Sequence, residues 1–243
     1  MTIIDTINQL KQREWVDLTH TLSKSIPYFS AFSPMKEKTL FTIKEDGFYA
    51  KEYTLATQYG THIDPPGHFS EGSGLLDVLT LKDGILPLYV IHKEKEVEKN
   101  SDYELTVKDI QHFENENGKI EAGSFVAFSS GWSKKWEDHE AYYNKDDKGQ
   151  AHTPGWSIEA LKFLHEKRNV RAIGHETLDT DSGKAFFENQ ALLGELYWLS
   201  TGNFQVEALS NLSNVPSSGS AIVIGIPKIE ESPGFSVRAF AII

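Results

Sequence analysis

Short apolar segments, broken at close intervals by turn residues, constrain this chain more than any other feature. "EWVDLTHTL", "KTLFTIKE", "FYAKEYTLAT", "LPLYVIH", "GSFVAFSS", "VRAIGH", "SAIVIGIP" and "FSVRAFAII" are rich in Val, Ile, Phe, Tyr and Thr and end in Gly, Pro, Asn or Ser. That pattern is the signature of strands, so a mainly β core is expected. Two helices are expected between them. "TVKDIQHFENENG" has Thr106 as N-cap and Gly118 past its end, and "SIEALKFLHEKRN" is capped by Ser157. The second runs straight into "VRAIGH", which makes one α/β unit. Residues 1–13 place Ile3, Ile4, Ile7 and Leu10 at helical spacing, a peripheral helix able to dock on a core or a neighbouring subunit. With no linker or repeat, residues 1–243 are read as one domain.

The absence of cysteine excludes disulfides, thiolate ligands and a cysteine nucleophile, so any metal must be held by nitrogen and oxygen. A formal charge of -11 without a Lys/Arg cluster argues against a nucleic-acid partner. No apolar run is long enough to span a bilayer, and "MTIIDTINQLKQREW" meets charge too early for a signal peptide. A cytoplasmic protein with no membrane partner is expected.

The chemistry concentrates in "QYGTHIDPPGHF", Gln58 to Phe69. If the strand before it continued, Gln58, Gly60, His62 and Asp64 would share one face, with Gly60 leaving room for substrate. Pro65, Pro66 and Gly67 would then end the strand in a stiff turn and return His68. An imidazole and a carboxylate side by side, with a second imidazole nearby, suit a divalent cation such as Zn²⁺ or Mn²⁺.

The stretch "GTHIDPPGHF" resembles the Gly-Thr-His-x-Asp-x-Pro-x-His signature of the cyclase-like metal hydrolases, the family of bacterial kynurenine formamidase and isatin hydrolase. "VDLTHTLSKSIPYF", "GSFVAFSSGWS", "VEALSNLSNVP" and "GFSVRAFAII" resemble further parts of that family, so the likeness covers nearly the whole chain. The resemblance implies an α/β fold, a barrel-like β core flanked by a few helices (the swivelling β/β/α type), and a homodimer or homotetramer. It implies metal ligands at His62, Asp64 and a late residue, either Glu207 or Gln205, and an acid/base at His68. It implies hydrolysis of a small cyclic or aromatic amide; a lactone or ester, or a non-catalytic binding role, are the alternatives. Gln58 stands where the formamidases carry a metal-binding histidine, and Asn189 where the family places a second-metal histidine. One metal ion, Mn²⁺ or Zn²⁺, is therefore expected.

Other candidates are less sharp. "AIGHETLDTDSG" gathers His175, Glu176, Asp179 and Asp181 at a strand end, with His175 as a further base, relay or ligand-holding partner. Phe29 and Trp156 are expected to contact substrate together with Gln58. His20 is read as structural. Arg238, inside an apolar last strand, is expected to bind an anion or pair with an acid.

Overall fold

The computed structural model describes residues 1–243. The strands are β1 (Trp15–Asp17), β2 (Lys36–Phe41), β3 (Ala50–Thr54), β4 (His62–Asp64), β5 (Ile85–His92), β6 (Glu104–Leu105), β7 (Phe125–Ser129), β8 (Gly155–Trp156), β9 (Ala172–His175), β10 (Phe204–Glu207), β11 (Ser220–Gly225), β12 (Phe235–Ser236) and β13 (Arg238–Ile242). The helices are α1 (Ile3–Lys11), α2 (Ile43–Asp46), α3 (Glu94–Lys99), α4 (Val107–Asn117), α5 (His139–Tyr143), α6 (Ile158–Arg168), α7 (Gly183–Asn189) and α8 (Leu193–Ser200). No helix is long and apolar enough to cross a membrane.

Nine strands form one sheet in the order β1-β13-β11-β5-β7-β9-β10-β4-β12. Its centre, β5-β7-β9-β10, is parallel and its flanks are antiparallel. β12 and β13 lie near opposite ends of that order, yet only Val237 separates them. The sheet must therefore curl until its ends approach, giving the half-barrel that the sequence led us to expect. Further bonds from Leu18 N to Ala239 O and from Val237 N to Thr61 O, at 3.0 and 2.9 Å, tie the ends together.

Alternation along the strands sorts side chains into two cores. Phe125, Ala127, Ala172, Phe204, Val206 and Ile63 pack inside the curl. Val126, Phe128 and Ile173 face the other way and meet α4, α6 and α8 through Ile110, Leu161, Leu164 and Trp198. The caps expected for α4 and α6 are present: Thr106 and Asp109 form a reciprocal capping box, and Ser157 accepts from Ala160 N. Caps of this kind stabilise a helix by about 0.5–2 kcal/mol each.

Two expectations change. "KTLFTIKE" and "FYAKEYTLAT" do not enter the sheet; β2 and β3 form a separate two-stranded arm joined by α2. β3 also does not continue into β4, because Gly60 takes φ +70, which turns the extended path. The side chains of α1 are not buried anywhere in the chain. Arg238 is exposed and pairs in bidentate fashion with Asp17 at 3.0 and 2.7 Å, so it does not face the interior.

Candidate metal-binding active site

The helix-facing side of β4, β9 and β10 carries polar groups in place of core residues. Antiparallel register sets Gln205 opposite Asp64 and Glu207 opposite His62. Parity decides the rest: Ile63 and Val206 enter the inner core, so His62, Asp64, Gln205 and Glu207 all project outward. Two short strands thus supply four functional side chains within one ladder.

His62 Nε2 lies 3.3 Å from Asp64 Oδ2 and 3.3 Å from Glu207 Oε2, and all three residues are buried. Its other nitrogen, Nδ1, donates to Gly60 O at 2.8 Å, which directs Nε2 at the carboxylates. Here Gly60 has a different task from the one expected. A side chain at that position would press on Leu22 and Ile26, so it orients the imidazole and opens no space for substrate. Burial opposes charge on His62, but Asp64 and Glu207 hold its pKa well above the usual value. Burial likewise opposes charge on Asp64, and His62 outweighs it and holds the carboxyl low.

A divalent cation fits these residues. His62, Asp64 and Glu207 present one donor atom each within 4.8 Å of one another. Asp64 Oδ2 is buried and accepts no hydrogen bond. His62 Nε2, 3.3 Å away, is the group set against that oxygen, and a divalent cation would satisfy it more fully. One imidazole and two carboxylates are a donor set for Zn²⁺ or Mn²⁺.

Gln205 is also buried, but it turns toward its neighbours. Its Nε2 donates to Glu207 Oε1 and Glu195 Oε1, each at 2.9 Å, and its Oε1 accepts from Thr180 Oγ1 at 2.7 Å. Of the two late candidates, Glu207 therefore points at His62, while Gln205 positions Glu207. His175 does the same from behind: Trp156 Nε1 donates to its Nδ1 at 3.4 Å, and Nε2 meets Glu207 Oε1 at 3.2 Å. Both His175 and Trp156 are buried, and neither lines the cavity in front of the cluster. Trp156, expected at the substrate, sits instead in the outer core and supports His175.

That cavity, about 270 Å³, is lined by Phe29, Phe32, Gln58, His62, His68, Phe69, Leu178, Asp179, Leu192, Glu195 and Glu207. The Pro65-Pro66-Gly67 turn delivers His68 as expected, as a short 3-10 turn over Pro66–His68. Gly67 is needed there, since a Cβ would stand 2.6 Å from Gly74 O. His68 Nε2 lies 3.9 Å from Asp64 Oδ1, and its Nδ1 is 3.5 Å from Gln58 Nε2. Gln58 arrives by a loop and still reaches the site, donating to Asp64 Oδ1 at 3.2 Å and Pro233 O at 3.0 Å, with Thr57 bonded to its Oε1. Phe29 and Phe32 meet edge to face across 5.2 Å at the rim.

The sequence reading missed Glu195. It stands in α8 among Leu193, Leu196, Trp198 and Leu199, and forms a second acidic group with Asp64 and His68. An acid inside so apolar a helix was the available signal. Burial, with Glu207 and Asp64 nearby, raises its pKa well above the usual range. Asp181 fixes the start of that helix, accepting from Gly194 N at 2.8 Å and Glu195 N at 2.9 Å. Glu176 is likewise committed elsewhere, to the amides of Ser130 and Trp132 at 2.9 and 3.0 Å. Asn189, at the end of α7, is exposed and bonds Ala185 O, away from the cluster.

Residues 16–182 match the family described as "Putative cyclase". The chain belongs to this cyclase family. An isatin hydrolase of Roseibium aggregatum is 30% identical over 243 residues, covering 95% of this chain and 92% of that protein. A kynurenine formamidase of Geobacillus thermodenitrificans is 36% identical over 80 residues, 32% of this chain and 38% of that protein. Among solved structures, isatin hydrolase A from Ralstonia solanacearum superposes with a TM-score of 0.92 at 29% identity, covering 100% of this chain and 98% of that one.

Proposed function

We propose that this cyclase-family protein is a metal-dependent hydrolase that opens a C–N bond in a small cyclic or aromatic amide with water, using one divalent cation, Mn²⁺ or Zn²⁺. The observation that carries the reading is the buried His62, Asp64 and Glu207 cluster, with its unpartnered Asp64 Oδ2, at the floor of a cavity that also holds His68. Near full-length similarity to an isatin hydrolase supports the substrate class, since isatin is a cyclic amide.

His62 Nε2, Asp64 and Glu207 would hold the cation. When bound, a divalent cation acidifies water and polarises a carbonyl oxygen. The protein's own groups do the rest. Gln205 and His175 fix the orientation of Glu207, and Gly60 O fixes that of His62. Phe29, Phe32 and Phe69 seat a flat substrate and exclude bulk water. His68 carries the proton: its imidazole stands in the cavity beside Asp64 and passes a proton to the departing nitrogen.

Assembly as a homodimer or homotetramer belongs to the same reading. It is supported by apolar groups that the monomer leaves exposed on α1 (Ile3, Ile4, Ile7) and on the arm (Phe41, Ile43, Phe48).

The test is a panel of cyclic and aromatic amides and matching lactones, assayed after chelation and after return of Mn²⁺ or Zn²⁺. Turnover of an amide that vanishes with the metal and returns with it is expected. Faster lactone opening would move the protein to the ester branch, and a metal-loaded protein that turns over no member of the panel would overturn the enzyme reading.

A further inference from the structure

The cavity over the metal cluster has a neighbour. A second cavity, of about 200 Å³, shares Phe29, Leu178 and Asp179 with the first, so those residues form a neck between two chambers. Beyond the neck the wall is aromatic, with Trp132, Tyr142, Tyr143, Phe186 and Phe187. The polar atoms of three of these rings are already committed. Trp132 Nε1 donates to Tyr142 O at 2.9 Å, Tyr142 OH to Glu176 O at 2.8 Å, and Tyr143 OH to Tyr28 O at 2.6 Å. What they offer a ligand is ring surface, part of it already taken: Lys135 Nζ stands 3.4 Å over the Trp132 ring and Lys145 Nζ 5.7 Å over that of Tyr143, so the rings without a lysine are Tyr142, Phe186 and Phe187.

The acids of this chamber differ in the same way. Asp181 spends both oxygens on the first amides of α8. Asp179 uses only its backbone carbonyl, which accepts from Thr177 Oγ1, and its carboxylate bonds nothing in the protein. That carboxyl stands at the neck, where burial, with Glu207 and Asp181 nearby, pushes its pKa up to about 7, so that a cation beside it would hold it ionised.

We infer that the second chamber seats a protonated amine borne by the substrate, with Asp179 as its counter-ion and aromatic faces around it. Ring faces carry the negative end of the quadrupole and attract a cation by about 0.5–2 kcal/mol each. A partly buried carboxylate gains more from a cation than from a neutral hydroxyl. Lys145 also borders the chamber but is exposed, where solvent and salt screen its charge. The volume suits a short aminoalkyl arm, while the ring that carries it lies against Phe29 and Phe32 in the first cavity. The word "substrate" rests on the hydrolase reading above; the chamber's preference for an amine does not.

The test is calorimetric titration of the Mn²⁺-loaded protein with phenethylammonium chloride and with 2-phenylethanol, its neutral counterpart. Wild type is expected to bind the ammonium at least tenfold more tightly. Asp179→Asn keeps the shape and should erase that preference by weakening the ammonium alone. Phe186→Ala, on a half-exposed wall residue, should weaken the ammonium about threefold or more. Equal affinity for the two probes in wild type, a preference that survives in Asp179→Asn, or no effect of Phe186→Ala would overturn the inference. An intact amine preference in a protein that hydrolyses neither an aminoalkyl amide nor its hydroxyl analogue would uphold the chamber and sink the hydrolase reading.

Discussion

Two antiparallel strand pairs in this molecule invert the ordinary rule of burial. The β4–β10 pair is buried throughout, yet it carries His62, Asp64, Gln205 and Glu207. The β2–β3 arm is mostly exposed, yet it and its connection carry Leu40, Phe41, Ile43, Phe48, Tyr49 and Tyr53. Buried charge is tolerated only when something compensates it, and exposed apolar surface of this extent marks a contact. On the proposed reading a cation completes the first pair and a protein surface covers the second. Strand pairing would then build a small-ion site at one place and a docking element at another.

The largest effect should come from emptying the first pair. His62→Ala or Glu207→Ala is expected to abolish metal retention, measured by elemental analysis, and to lower kcat/KM by about 10³-fold or more. A variant that keeps both metal and turnover would show that the buried cluster is only structural. Next in size, His68→Ala should retain the metal and lower kcat by about 10²–10⁴-fold. Loss of metal in that variant would move His68 from proton carrier to ligand, alongside Asp64 and Glu195.

Gln205→Leu comes third. It removes the donor that holds Glu207 and Glu195 without touching the cavity, and a loss of about 10–100-fold in metal affinity is expected. The arm supplies the fourth break: Phe41→Ser with Phe48→Ser separates rings 4.7 Å apart and should shift the protein toward monomer in sedimentation. An unchanged assembly would relieve the arm of that role.

The smallest effect sits beside the first pair, at His20, whose backbone N–H donates to Thr61 Oγ1 and whose ring stacks on Trp136 at 3.9 Å. Burial lowers its pKa to about 4. The unfolded chain, with an ordinary value near 6.5, binds the proton first, so this contribution is whole above about 6.5 and fades as pH falls toward 4. His20→Phe should flatten the acid limb of a stability–pH curve by about 1–3 kcal/mol, read from denaturant midpoints.

Much of the fold was legible because strands, caps and the Pro-Pro-Gly turn are local signals. Thr106, Ser157 and the return of His68 all follow from residues within a few positions. The site was legible where the motif is contiguous, at His62, Asp64 and His68, and by family likeness at Glu207. What escaped depends on distant contacts. Gly60 looked like a gap in a strand, but its positive φ and its bond to His62 emerge only once Leu22 and Ile26 pack against it. Trp156 reads from its loop as a pocket wall; the tertiary fold buries it behind His175. Glu195 and the neck at Asp179 exist because α8 and the segment after β9 converge on β10, which no single stretch encodes.

The near meeting of the sheet's ends also fixes an order of events. β4, residues 62–64, is synthesised long before its outer neighbour β12, residues 235–236, so a ribosome must deliver all the residues between them before that edge is covered. Until then the ion-binding strand is an open edge in a nascent protein, and pairings so far apart in sequence form slowly. The proposed ion site, which joins residues 62–64 to Glu207, is among the last features that the fold can complete.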